Sequence, residues 1–271
     1  MILGIKKTMG RIGFCLLIFY IQFASLLWGQ VDENNVDLDY KLVAYWSFDE
    51  ILEDSIVVDG SGYYNNGILK NGASCVEART KGNYSLYLNG YNHFCHVRNS
   101  RSLNITKNIT IALWMKTLKL GTSQGMISKN PQGDEKQYGL LIKSNGDLRI
   151  DYESGGNNFS LIHKTLTPER WYHLTVTIDD FQMNFYLDGI LMQSKRIPKE
   201  VIKSDEDVHI GKYAGSYNGS YFHGYLDEIR IYNRVLTEAE IACLAKNYVA
   251  ATTPDQNPKT LTSWNLIQKI Y

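Results

Sequence analysis

The feature that most limits what this chain can fold into is a two-residue rhythm. In "NITIALWMKT" (108–117), Ile109, Ile111, Leu113 and Met115 alternate with Thr110, Ala112 and Trp114. In "WYHLTVTIDD" (171–180), Tyr172, Leu174, Val176 and Ile178 hold every second place. Side chains alternate faces along a strand, so each run predicts a strand with one face on a core. Shorter runs of the same kind are "LVAYWSF" (42–48), "YSLYLNG" (84–90), "HFCHV" (93–97), "QYGLLIK" (137–143), "LRIDYE" (148–153), "MNFYLDG" (183–189), "VHIG" (208–211) and "GYLDEIRIY" (224–232). Ser144–Asn145–Gly146–Asp147 and Asp188–Gly189 read as hairpin turns between them. Many short strands with closely spaced turns predict an all-β sandwich or barrel. One helix is signalled: Thr237 and Glu240 stand at capping-box spacing, and Ile241, Leu244, Ala245 and Tyr248 form the stripe that packs it on the sandwich edge.

The chain of 271 residues is long enough to bury a core without metals or disulfides. Its start has another character. Lys6, Lys7 and Arg11 precede "IGFCLLIFYIQFASLLWG" (12–29), which predicts a secretory signal peptide over 1–30, cleaved at Gly29–Gln30; an uncleaved anchor is the rival. A short linker (31–41), a domain (42–248) and a polar tail (249–271) follow, and no later stretch resembles a membrane span. Without the three leader cations, 25 basic side chains face 28 acidic ones, a net of −3. There is no basic block to neutralise phosphates, so nucleic acid is excluded as a partner. Export permits disulfides. Cys75 and Cys95, both in strand-like segments, are the expected pair, with Cys243 a buried free thiol in the helix; the arithmetic also admits three free thiols. Asn-x-Ser/Thr sequons begin at Asn83, Asn104, Asn108, Asn158 and Asn218, candidate glycosylation sites in a cell that glycosylates.

The most specific residues come in a fixed order: "LVAYWSFDE" (42–50), "DGSGYYNNG" (59–67), "LYLNG" (86–90), "TIALWMK" (110–116), "WYHLTVTID" (171–179), "NFYLDG" (184–189) and "FHGYLDEIRIYNRVLTEAEI" (222–241). Over 42–248 the chain resembles the laminin-G-like, concanavalin-A-like jelly-roll domains of secreted proteins and of accessory modules in carbohydrate-active enzymes. The resemblance implies an antiparallel two-sheet jelly roll, frequently with one calcium ion, that binds glycans or proteins.

In strict alternation Tyr225, Asp227, Ile229 and Ile231 share a face, which turns an acid toward a core. A carboxylate so placed must be paired, hydrogen-bonded or metal-bound. The resemblance puts a structural calcium site at Asp59 and Asp227, with Glu50 or Asp49 as a third acid; Ser61 and Asn65 offer further hard oxygens. The alternative is that Asp59 caps its own turn through Ser61 and Gly62, with Asp227 accepting hydrogen bonds from it. Candidate ligand-binding aromatics are Tyr217 and Tyr221 in "YAGSYNGSYFHG" (213–224), and Tyr63 and Tyr64. Trp46, Trp114 and Trp171, inside alternating strands, read as packing residues.

Catalysis finds little footing. A glycoside hydrolase needs two suitably spaced carboxyls, and Asp151 with Glu153 is the best fragment on offer. No nucleophile elbow, zinc-protease helix or phosphate loop occurs. The expectation is a non-catalytic, secreted, calcium-stabilised domain that binds carbohydrate, or failing that an extracellular protein.

Overall fold

The computed structural model describes residues 36–52, 55–78, 83–129, 137–154, 157–163, 166–197, 204–213 and 220–246. The chain divides into units 1–37 and 38–271, and the description concerns the second. The expected signal peptide, the tail, Tyr217, Asn218, Tyr248 and the side chain of Asn158 lie outside the described residues.

The first strands are β1 (Leu42–Trp46), β2 (Ile51–Leu52), β3 (Ile56–Val57), β4 (Gly67–Lys70), β5 (Ser74–Glu77), β6 (Tyr84–Asn89) and β7 (Phe94–Val97). The middle of the chain forms β8 (Ile109–Thr117), β9 (Gln124–Lys129), β10 (Tyr138–Ile142), β11 (Leu148–Ser154), β12 (Asn157–His163), β13 (Tyr172–Ile178), β14 (Gln182–Leu187) and β15 (Ile190–Arg196). The last are β16 (Val208–Ile210), β17 (Lys212–Tyr213), β18 (Ser220–Tyr221) and β19 (His223–Tyr232), then helix α1 (Glu238–Lys246). One sheet runs β15-β14-β13-β8-β19-β6-β5, with β1 also paired to β19. The larger sheet runs β12-β11-β10-β9-β16-β7-β4-β3-β2, and carries the β17–β18 hairpin through a parallel bridge from Tyr221 to Gly125. All other pairings are antiparallel. This is the jelly-roll sandwich expected.

Alternation decides the core. Ile109, Ile111, Leu113 and Met115 of β8 and Tyr172, Leu174, Val176 and Ile178 of β13 all point between the sheets, with Leu140, Ile150, Val208 and Ile210 opposite. A second apolar layer lies on the other face of the smaller sheet, where Ile241 and Leu244 of α1 meet Leu42, Ala112, Tyr186 and Tyr232. The capping box forms as the spacing predicts: Glu240 N donates to Thr237 Oγ1 (3.3 Å), and Thr237 N to Glu240 Oε2 (2.7 Å). Arg234 clamps the same Glu240 carboxylate with both terminal nitrogens, at 2.7 and 2.8 Å. Trp46 of β1, Trp114 of β8 and Trp171, just before β13, are buried.

Two expectations are corrected. Strict alternation fails in β19, because Glu228 adopts φ 52° and the register to β8 shifts between Asp227 and Arg230. The bulge adds a residue and reverses the phase. Leu226 therefore shares the core with Ile229 and Ile231, and Tyr225 does not. Glu228 and Arg230, on either side of Ile229, form an ion pair. Their carboxylate–guanidinium contact is 2.7 Å with both side chains largely covered, Tyr45 Oη donates to Glu228 at 3.0 and 3.1 Å, and the guanidinium lies 4.0 Å over the Tyr45 ring.

Second, Cys75 and Cys95 are not joined and are free thiols, and Cys243, expected to be buried in the helix, is only half-buried. Cys75 is on β5 of one sheet and Cys95 on β7 of the other. Packed sheets stand about 10 Å apart, beyond the roughly 4.4–6.8 Å that a disulfide spans between Cα atoms.

Candidate binding face on the larger sheet

The Asp59 loop tests the calcium expectation. Asp59 is buried, and its carboxylate has four acceptor positions. Oδ1 accepts from Tyr45 N (2.8 Å) and Ser61 N (2.9 Å); Oδ2 accepts from Ser61 Oγ (2.8 Å) and Asn65 N (2.8 Å). The Asn65 amide is also spent: Nδ2 donates to Val43 O (2.7 Å) and Ser102 Oγ (2.9 Å), and Oδ1 accepts from Ser100 Oγ (2.6 Å). Hydrogen-bond donors thus occupy every oxygen direction on Asp59. The carboxylate fits a loop cap and does not fit a cation ligand. Asp227 is buried within its bulge, where Oδ1 accepts from Glu228 N at 2.8 Å, and Glu50 is exposed. Among the described residues, no three His, Cys, Asp or Glu side chains gather as a metal group. What joins the early loop to the last strand is Asp59 holding β1 by Tyr45 N, and β1 pairing with β19 at Tyr45–Arg230 and Trp46–Ile229.

A different constellation forms on the outer face of the larger sheet. Register aligns Ile68, His96, His209, Ser128, Gly139, Asp151 and Ser160 in one row across β4, β7, β16, β9, β10, β11 and β12. Directly opposite residues share a face, and their inward neighbours, Cys95, Ile210 and Ile150 among them, are core. Over this row folds the β17–β18 hairpin. It can lie flat because Gly125 and Gly139 have no side chains: a Cβ on Gly125 would come 2.2 Å from Tyr213 N, and one on Gly139 2.5 Å from the Tyr213 ring. Tyr213 Oη then donates to Asp151 Oδ2 (2.8 Å).

Phe94, His209 and Tyr221 make the aromatic part of the face. Ring centroids are 5.8 Å apart for Phe94–His209 and 6.4 Å for Phe94–Tyr221, and His96 stands 5.6 Å from His209. The Lys212 ammonium rests 5.1 Å over Phe94 and 5.7 Å over Tyr221. Asp207 fixes the far side: His96 Nε2 lies 2.7 Å from its Oδ2, and Asn99 N donates to Oδ1 at 2.7 Å. Burial acts to raise the Asp207 carboxyl, but the Asn99 amide and His96 outweigh it and hold it below the usual range. Burial first, then Lys212 and His96, bring His209 down to about 4, so its ring is neutral near pH 7.

Of the sequence-predicted ligand residues, Tyr221 belongs to this face. Tyr63 and Tyr64 are exposed on the Asp59 loop instead. Of the Asp151–Glu153 fragment, Asp151 is 3% exposed and holds Arg149 Nε, Ser160 Oγ and Tyr213 Oη, which leaves it no room to act on a substrate, and the side chain of Glu153 lies outside the described residues. Sequence reasoning missed the pairing of His96 with His209, 113 positions apart; the only local signal was that each alternates with core residues. Among the sequons, Asn83 and Asn108 are exposed, whereas Asn104 donates to Asp205 Oδ1 and accepts from Lys129 Nζ.

Comparison with known proteins places these observations. Residues 88–242 match the family model of the concanavalin A-like lectin/glucanases superfamily. The adhesion G-protein coupled receptor V1 of Danio rerio is 25% identical over 147 residues, 51% of this chain and 2% of that protein. The chain therefore spans a small fraction of that relative. The binding domain of Paraclostridial Mosquitocidal Protein 1 superposes with a TM-score of 0.63 at 22% identity, covering 78% of this chain and 53% of that one. Domain 4 of the extracellular arabinanase AbnA from Geobacillus stearothermophilus, solved with arabinotriose, superposes with a TM-score of 0.60 at 20% identity over 76% of this chain and 98% of that one. At these identities the likeness to the solved structures is one of fold.

Proposed function

The chain belongs to the concanavalin A-like lectin/glucanases superfamily, and from that premise we propose that it is a non-catalytic, secreted carbohydrate-binding domain whose ligand lies on the outer face of the larger sheet. The observation that carries this is the grouping of Phe94, His209 and Tyr221 beside Lys212 and His96 on one partly open surface. Sugar rings stack on aromatic faces through their C–H surfaces and hydrogen-bond at their edges, so a site needs both kinds of group side by side. AbnA domain 4, whose whole length the fold matches, was solved with a sugar bound, which supports the reading. No helix among the described residues is long and apolar enough to cross a membrane, and residues 1–30 have the character of an export signal. Calcium takes no part in the reading, given the filled Asp59 carboxylate.

The test is a glycan-array screen of the secreted form, repeated with Phe94→Ala and Tyr221→Ala. Saturable binding to one sugar class, lost in both variants, supports the assignment. A folded protein that binds nothing on a broad array overturns it and favours a second reading, recognition of an extracellular protein. One observation speaks for that reading: the edge strand β15 exposes Ile190, Leu191 and Met192, with Phe181 exposed close by in the chain.

A further inference from the structure

Resting on the carbohydrate reading, the geometry points to the charge of the ligand: we infer that the sugar bound at Phe94 is anionic, carrying a carboxylate or a sulfate ester. Lys70 stands directly across from Phe94 in the β4–β7 pair and on its face, since Leu69 and Cys95 between them turn to the core. Lys212 reaches the ring from β17 and holds its ammonium 5.1 Å over it. The platform thus has one cation from β4 and one from β17. Both lysines are half-buried, and among the described residues neither has a carboxylate within ion-pair distance.

The acids of this face whose side chains are described are already engaged. Asp207 is held by His96 and Asn99, and Asp151 by Arg149, Ser160 and Tyr213. His209 is neutral near pH 7. Among the described residues, the face therefore presents two lysines with no carboxylate partner, Lys212 over the Phe94 ring and Lys70 across from Phe94 in register. A neutral sugar would use the ring and leave the charges idle; an anionic one uses both. Cations on a partly desolvated, aromatic-walled surface attract an anion more strongly than they would in open water. Lysine suits either source of the charge, because its ammonium binds as a point charge and imposes no planar geometry.

The experiment is calorimetric titration of the secreted protein with three probes: an oligogalacturonate, a sulfated galactose oligomer and a neutral galactose oligomer. At least one anionic probe is expected to bind about tenfold or more tighter than the neutral one at physiological salt, with the margin shrinking as salt rises. Lys212→Gln and Lys70→Gln should each remove about tenfold from the anionic affinity only, and Lys212→Arg should retain most of it. The first two probes separate carboxylate from sulfate. Equal affinity for the neutral and charged oligomers, or lysine variants that bind as before, overturns the inference and leaves sugar binding standing. Failure of all three probes, while the glycan array is also blank, overturns the carbohydrate reading itself. Retained far-ultraviolet circular dichroism in the glutamine variants shows that the loss is not one of folding.

Discussion

The Asp59 carboxylate makes a sharp prediction. Replacing it with asparagine keeps the shape and leaves Oδ1 to accept from Tyr45 N and Ser61 N. The new NH2 group then faces two donors, Asn65 N and Ser61 Oγ. The serine hydroxyl can turn and accept, but the buried Asn65 amide cannot and is left unpaired. One orphaned buried amide plus the loss of charge on the remaining bonds costs about 2–3 kcal/mol, a fall in Tm of roughly 5–10 °C for a domain of this size. Asp59→Ala also orphans Tyr45 N and Ser61 N and should cost about 4–6 kcal/mol. Differential scanning fluorimetry measures both variants in millimolar calcium and in chelator. The wild-type Tm should be the same in the two buffers, because every acceptor position is occupied by a proton donor. If calcium instead raises the wild-type Tm and Asp59→Asn abolishes the rise, a cation binds the folded state there, and the reasoning from filled acceptors is refuted.

Three further outcomes are expected. Gly125→Ala sets a Cβ against Tyr213 N and Lys212 C, backbone atoms that cannot yield, so the β17–β18 hairpin must lift; sugar affinity should fall at least about tenfold, and stability by about 1–3 kcal/mol, and unchanged affinity would show that the hairpin does not shape the site. His209 titrates in the unfolded chain near 6.5 and in the folded one near 4, so below pH 6.5 only the unfolded state takes up the proton, and stability is lost as pH falls toward 4. The full depression would be worth about 3 kcal/mol, and partial exposure reduces this to about 2 kcal/mol; chemical denaturation of wild type and His209→Asn at pH 7 and pH 4 should show the difference, and parallel pH profiles would rule the effect out. Finally, Cys75 and Cys95 should resist thiol reagents in the native state, since burial pushes the Cys75 thiol up to about 12 and raises Cys95 as well; a Cys75–Cys95 linked peptide in a non-reducing digest of the secreted protein would contradict the structure.

Much of the fold could be read from spacing, because alternation in β8 and β13 and the Thr237–Glu240 capping pair are properties of a few consecutive residues. The phase of β19 could not. Its reversal rests on one non-glycine residue, Glu228, taking a positive φ, and no local pattern marks an acid for that conformation. The two readings of Asp59 were also equally legible, since the same carboxylate serves calcium or amides; only the positions of Tyr45 N and Asn65 N separate them. The binding face was the least visible part. Phe94, His96, His209 and Lys212 come from distant strands, and their meeting depends on register and on glycines that make room for a hairpin.

The placing of β19 has a consequence for how the protein is made. This strand, last of the described strands, is central in its sheet: it bonds to β8 on one side, and on the other to β6 along residues 223–226 and to β1 along 229–232. During synthesis, three earlier strands therefore wait with open edges for a segment that emerges only after all the other described strands. Such long-range closure is slow, and the waiting edges invite pairing with other chains. A ribosome-bound chain halted before residue 223 should be unable to fold and prone to aggregate. The same delay keeps this domain from closing its smaller sheet until β19 has been made.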